Sequence, residues 1–181
     1  VNRVCGSGAQ AVVSAALEVA AGTVDCAVAG GMENMDRAPY LLPQGRWGAR
    51  MGDVTLFDSM LLDGLHDAVS GQHAGWHTED LVIRCGISRE DQDRWALRSQ
   101  QAFSAAQAAG KFDAEIVTVQ APGRKGAVPF SRDEHNRPET TMESLARLRP
   151  VFRKEGTITA GNAPGLNSGA IRFTNRKWPR K

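Results

Sequence analysis

One cysteine in this sequence stands where a thiol can do chemistry. Cys5 lies in Val4-Cys5-Gly6-Ser7-Gly8, a glycine-rich turn that opens onto the apolar run 9–21. Gly6 and Gly8 allow backbone to approach the sulfur closely, and Ser7 can cap the element that follows. Residues 9–21 carry a single charge, Glu18, and small or apolar side chains on nearly every face, the pattern of a helix buried all round. Its free N–H groups and positive dipole end would point back at Cys5 and favour thiolate over thiol, giving a nucleophile near neutral pH. An arbitrary cysteine is more often structural. A C-G-S-G turn entering a wholly apolar helix reverses that preference.

The other reactive residue types point more weakly. His73 and His77 stand four apart, a spacing that could share a metal on one helix face. Gly75 lies between them and no third ligand is placed nearby, so no metal is assigned. Three cysteines at unrelated spacings suit neither a disulfide framework nor a zinc site, and Cys26 and Cys85 read as small buried hydrophobes. Met32 and Met35, beside a glycine turn, read as packing residues.

These groups need elements to hold them. Gly22 is a natural helix stop, and 25–31 is a short apolar run of strand length ending at the pair Gly30-Gly31. Helix followed by strand suggests one step of a layered α/β sheet. From 35 to 64 prolines and glycines mark irregular backbone, with a short helical or turn element at 58–65. Residues 88–109 predict an amphipathic helix, opened by Ser88 and Asp91 as a capping box and closed by Gly110, its charges forming a solvated face. Residues 114–119 alternate like a strand, and 121–137 read as a surface loop. Thr140 or Thr141 then caps a short helix over 142–148, ended by Pro150.

Composition limits the possibilities. At 181 residues the chain makes one ordinary domain or part of a larger protein, and 41% hydrophobic with 23% charged residues describes a soluble globular chain. No apolar run looks long enough, or free enough of charge, to cross a bilayer, and no signal peptide is visible, so a reducing cytoplasmic location and no membrane partner are expected. The net charge of +2 comes from the end of the chain: five of the 22 basic residues follow residue 171 and no acid follows Glu155, leaving 17 basic against 20 acidic residues before it. Nothing in that balance suggests nucleic acid.

Several blocks together resemble one family. Asn2-Arg3-Val4-Cys5-Gly6-Ser7-Gly8, Ala29-Gly30-Gly31-Met32-Glu33-Asn34-Met35 with Ala38-Pro39, Arg46-Trp47-Gly48-Ala49-Arg50-Met51-Gly52-Asp53 and Gly86-Ile87-Ser88-Arg89-Glu90-Asp91-Gln92-Asp93 are similar to the thiolases, acetyl-CoA acyltransferases that make or cleave 3-ketoacyl-CoA. Gly123-Arg124-Lys125-Gly126 and Thr157-Ile158-Thr159-Ala160-Gly161-Asn162-Ala163 follow in the same order. The resemblance covers residues 1 to about 170, and so many separate blocks are far more specific than one motif. It implies an α/β fold: a partial thiolase-like layered fold, with the buried helix and strand of the N-terminal domain followed by the loop domain. Residues 1–35 would be the nucleophile-bearing end of the core domain, 36–166 the CoA-binding loop domain, and 167–181 a divergent basic tail.

The resemblance also implies roles. Cys5 matches the acyl-carrying cysteine. Leu65, His73, Arg137, Ser144, Phe152, Ala160, Ala163 and Leu166 would border coenzyme A, with Arg137 beside the nucleotide, where a planar cation suits phosphate or adenine. Among basic residues 124, 125, 132 and 137 only this arginine is taken as more than surface charge. Ala74 replaces a family methionine at the acyl end of the pocket, and Pro164 replaces a serine that many members use to bond the pantetheine. No permanent cofactor is implied; coenzyme A is a substrate. Full-length members form homodimers or homotetramers. Beyond Gly169-Ala170 the family continues with an apolar strand, whereas this chain has five basic residues and a proline in eleven, which cannot form a strand buried on both faces. A frame change or truncation is expected, with a genuine basic tail as the alternative.

In thiolases a histidine activates the nucleophile and a second cysteine moves a proton at the condensing carbon. Both belong to the C-terminal half, and none of His66, His77, His135, Cys26 and Cys85 lies in a matching motif. The expectation is a fragment of an acyltransferase that passes an acyl group between 3-ketoacyl-CoA or acetyl-CoA and CoA through an acyl-cysteine, the isolated chain being inactive. The alternative is a CoA-binding or interaction remnant without catalysis.

Overall fold

The computed structural model describes residues 1–176. α1 spans Ser7–Ala21, starting slightly before the apolar run, and ends at Gly22, whose φ of 78° makes the left-handed C-cap. β1, Cys26–Glu33, pairs antiparallel with β6, Gly169–Arg176. Gly30 and Gly31 do not end the strand but lie inside it. A Cβ on Gly30 would collide with the Ile171 carbonyl oxygen, and one on Gly31 would come within 3.0 Å of Gly8 Cα. The glycine pair lets β6 and the first turn of α1 both close on β1.

α1 is not buried all round. Val19 is its one buried residue, while Val13 and Leu17 are 51% and 63% exposed, because β1 and β6 cover one side and none of the described residues covers the other. The expectation that no run suits a bilayer also needs correcting, since Val4–Ala21 is long and apolar enough by length and composition alone. The Gly8 to Gly31 approach shows instead how the helix is laid on a sheet. Segment 169–176, placed by its charge in a divergent tail, is strand; Ile171 and Phe173 stay 61% and 48% exposed, so both faces are not buried. Residues 177–181 of that tail lie outside the described residues.

After β1 the backbone is irregular, as its prolines and glycines imply. It carries a two-residue ladder between β2, Tyr40–Leu41, and β3, Phe57–Asp58, and one turn of π-helix at Met60–Leu65. Residues 1–74 and 166–176 form one compact unit, and Gly75–Gly165 forms another.

The second unit is built on α2, Ala74–Cys85, α3, Arg89–Ala108, and the short α4, Met142–Ala146. Ser88 and Asp91 make the reciprocal capping box at the start of α3, and Gly110, at φ 66°, follows its end. Thr141, not Thr140, caps α4, which stops before Leu148. Segment 114–119 is mostly not strand, and the presumed loop 121–137 contains one: β4, Val119–Gly123, turns through Arg124 and Lys125 into β5, Gly126–Phe130. Gly126 sits at φ 123°, which the turn needs, and the open edges of a two-stranded ribbon tolerate Pro122 and Pro129. Val82, Leu145 and Ile158 form the buried apolar centre, beside buried Glu79, Asp93 and Thr159. Cys26 and Cys85 are exposed rather than buried, each being the terminal residue of its element.

Candidate functional site

The candidate residues fall in both units, and each unit shows its own geometry. In the first, Cys5 is exposed and sits between Val4 and Gly6, the N-cap of α1. Val4 has φ 51°, in the left-handed region that a β-branched residue rarely enters. Such a conformation stores about 1–3 kcal/mol and persists where surrounding bonds impose it. Here the bonds are local. Gly6 N–H donates to Arg3 O at 3.0 Å, Val4 N–H to Asn2 Oδ1 at 2.9 Å, and Ser7 Oγ donates to Val4 O at 2.7 Å while accepting from Arg3 N–H at 2.8 Å.

Ser7 therefore locks the turn before α1 instead of capping the helix. No side chain caps α1, and its first turn holds no acid. The positive end of the helix is left uncompensated beside the thiol.

His73 forms an isolated antiparallel bridge with His66, their rings 5.9 Å apart and nearly perpendicular. Partial burial, and then the neighbouring His66, hold the His73 imidazole below its ordinary 6.5, so it is neutral at neutral pH. Leu65 ends the π-helical turn half-buried, directly before His66, the bridge partner of His73. Leu166, in the same unit, is 53% exposed. No group of three or more His, Cys, Asp or Glu side chains among the described residues is placed to hold a metal.

In the second unit Phe152 packs on the first turn of α2, where a Cβ on Gly75 would collide with its ring. The next residue, Arg153, lies 4.4 Å over the Trp76 ring and pairs with Asp80 at 2.6 Å, a hydrogen bond that holds the Asp80 carboxyl below its usual range. Arg137 is anchored through its main chain, its N–H donating to Gln100 Oε1 at 2.9 Å. Its side chain is exposed, and the guanidinium makes no hydrogen bond or ion pair among the described residues. Ser144 is the N3 residue of α4. Its hydroxyl donates to Thr141 O at 2.8 Å and accepts from Thr141 N–H at 3.0 Å, so the cap already employs it.

Ala160 is exposed and Ala163 half-buried, both in a loop held from α2 and α3. Glu79 accepts from Thr157 N–H and Ile158 N–H, each at 3.0 Å, and Asp93 accepts from Asn162 Nδ2 at 2.9 Å. Sequence reasoning missed both carboxylates, counting the α3 charges as a solvated face; Asp93 is buried. The signal existed: Glu79 lies three residues before Val82, on the buried stripe of α2. Ala163 and Pro164 also line an open cleft of about 360 Å³ against the Trp95, Ser99 and Phe103 face of α3, with His135 and Asn136. Asn136 is pinned there by Ser104 and Gln100.

The family described as "Thiolase, N-terminal domain" matches residues 1–173. The chain is 53% identical over 171 residues to "Beta-ketothiolase BktB" of Cupriavidus necator, covering 94% of this chain and 43% of that protein. It superposes on the acetyl-CoA acetyltransferase of Bacillus anthracis with a TM-score of 0.92 and 41% identity, over 98% of this chain and 45% of the other. The human mitochondrial 3-ketoacyl-CoA thiolase gives 0.90 and 39%, over 96% and 44%. The chain thus spans less than half the length of these relatives.

Proposed function

The chain belongs to the thiolase family, and we propose that it is the nucleophile-bearing and coenzyme-binding part of an acyl-CoA acyltransferase. Cys5 is the acyl carrier. In the degradative direction its thiolate attacks the ketone of a 3-ketoacyl-CoA, acetyl-CoA departs, and the acyl group held as a thioester on sulfur passes to the thiol of CoA. The observation that carries this reading is the exposed Cys5 between a strained Val4 and the uncapped positive end of α1. Ketone attack develops negative charge, and an open helix start favours it.

Residues 36–166 hold the coenzyme in this reading. The free guanidinium of Arg137 takes the nucleotide phosphates, Ser144 offers contact rather than a spare hydroxyl, and Leu65, His73, Phe152, Ala160, Ala163 and Leu166 border the rest. Pro164 offers no N–H or hydroxyl, so the pantetheine is held by neighbouring backbone. Coenzyme A is substrate, without a resident cofactor, in a soluble cytoplasmic enzyme that assembles as a homo-oligomer in its full form.

The isolated chain has negligible turnover because no histidine or second cysteine matches the activating motifs. Robust cleavage of acetoacetyl-CoA by the purified chain would overturn that. A second reading, CoA binding without catalysis, is favoured by the separate compactness of Gly75–Gly165, which carries Arg137, Ser144, Phe152, Ala160 and Ala163. Equilibrium binding tests the coenzyme assignment: the chain binds CoA, and Arg137→Ala weakens it about fivefold. An unchanged affinity in the variant would remove Arg137 from the site.

A further inference from the structure

Glu79 and Asp93 are the two buried carboxylates among the described residues, each 2% exposed, and both face the segment 156–162. The grip from Glu79 is the tighter. Both of its oxygens lie 3.0 Å from Thr157 N–H, Oε1 also accepts from Ile158 N–H at 3.0 Å, and Oε2 from Thr157 Oγ1 at 3.1 Å. A Cβ on Gly156 would collide with Oε1, so the glycine is what lets the backbone come this close. Gln92 Nε2 donates to Thr157 Oγ1 at 2.9 Å from α3. At the far end Asn162 Nδ2 donates to Asp93 and to Thr157 O, while its Oδ1 accepts from Thr159 N–H at 2.7 Å. The segment is therefore fixed at both ends, and Ala160 projects exposed between them.

Among the described residues Glu79 forms no ion pair, Arg153 acting on it only from a distance, and its hydrogen-bond donors are all groups of the loop itself, a costly way to tie a loop. We propose that Glu79 is a positioning residue for the acyl-CoA site: its carboxylate sets the backbone of 157–160 at the height where the pantetheine arm passes Ala160 and Ala163. The inference rests on the reading that this loop borders the coenzyme. It adds a residue that touches no ligand and acts through Thr157 and Ile158.

Glu79→Gln keeps the size but turns one acceptor into an N–H₂ group facing the N–H donors of the loop. Titration of the whole chain with CoA and, separately, with adenosine 3′,5′-bisphosphate separates positioning from general support, because the nucleotide meets Arg137 and not this loop. The expected result is about a tenfold loss of CoA affinity with nucleotide affinity held within about twofold. Thr157→Val, which deletes the hydroxyl's links to Glu79 and Gln92 and leaves the bonds from the Thr157 and Ile158 N–H groups, gives a smaller loss of the same kind and serves if the glutamine variant does not fold. Unchanged CoA affinity in both variants, or an equal loss for both ligands, overturns the proposal. If the unaltered chain binds neither ligand, the coenzyme reading itself falls, and the proposal with it.

Discussion

Around Cys5 the support is short-range: turns within residues 2–7 tied by the Asn2 and Ser7 side chains, a glycine contact between α1 and β1, and Val19 as the one buried residue of α1. Around Ala160 and Ala163 it is a side-chain network, with Glu79, Asp93, Asn162 and Thr157 bonded over a centre of Val82, Leu145 and Ile158. On the proposed reading the two regions serve different needs. A nucleophile must be exposed and held at one strained point, which a few short-range bonds achieve. A surface that lines a long flexible substrate must keep several backbone positions in register at once, which takes contacts from separate helices.

Substitutions can break each side of this contrast. The largest effect is expected from Glu79→Ala, which strips the acceptor from buried N–H groups of Thr157 and Ile158. Denaturant unfolding should show a loss of about 3 kcal/mol, with hydrogen exchange faster over 156–163. A loss below about 1 kcal/mol would mean that the network does not carry the loop. Gly75→Ala comes next, since the added methyl meets the Phe152 ring. It should cost about 2 kcal/mol by forcing the ring aside, and CoA affinity should fall with it.

On the other side, Val4→Gly removes the left-handed strain and, after the entropy glycine adds to the unfolded chain, should raise stability by about 0.5 kcal/mol. A loss instead would show the valine conformation to be unstrained. The smallest effect belongs to His73. Its folded imidazole titrates below the ordinary 6.5, so the unfolded chain binds that proton first and stability falls as pH drops through the window just under 6.5, staying level above it. Burial is the larger cause, so His66→Gln should shrink this slope without abolishing it, as unfolding midpoints at several pH values would record.

The same contrast explains what could be read from the chain alone. Signals carried by a few adjacent residues translated well: the Ser88 and Asp91 capping box, the Gly22 and Gly110 stops, and the placing of Cys5 before α1. The family blocks gave the fold class through their order. Burial did not translate, because it depends on what covers an element. The apolar face of α1 stays open at Val13 and Leu17, and Asp93 is buried in a helix whose charges look solvated. The β4 and β5 hairpin was hidden by prolines that argue against strand, which an open-edged ribbon tolerates. Glu79 is unreadable as a loop anchor until α2 and segment 156–158 are seen together.

On the proposed reading Cys5 is the reactive thiol, made so by its place at the start of α1. All three cysteines are exposed, so access alone does not separate them. Competitive alkylation of the folded chain with iodoacetamide near neutral pH, resolved by peptide mass spectrometry, compares the three thiols in one experiment. Cys5 should react several times faster than Cys26 and Cys85, and equal rates at all three would contradict it.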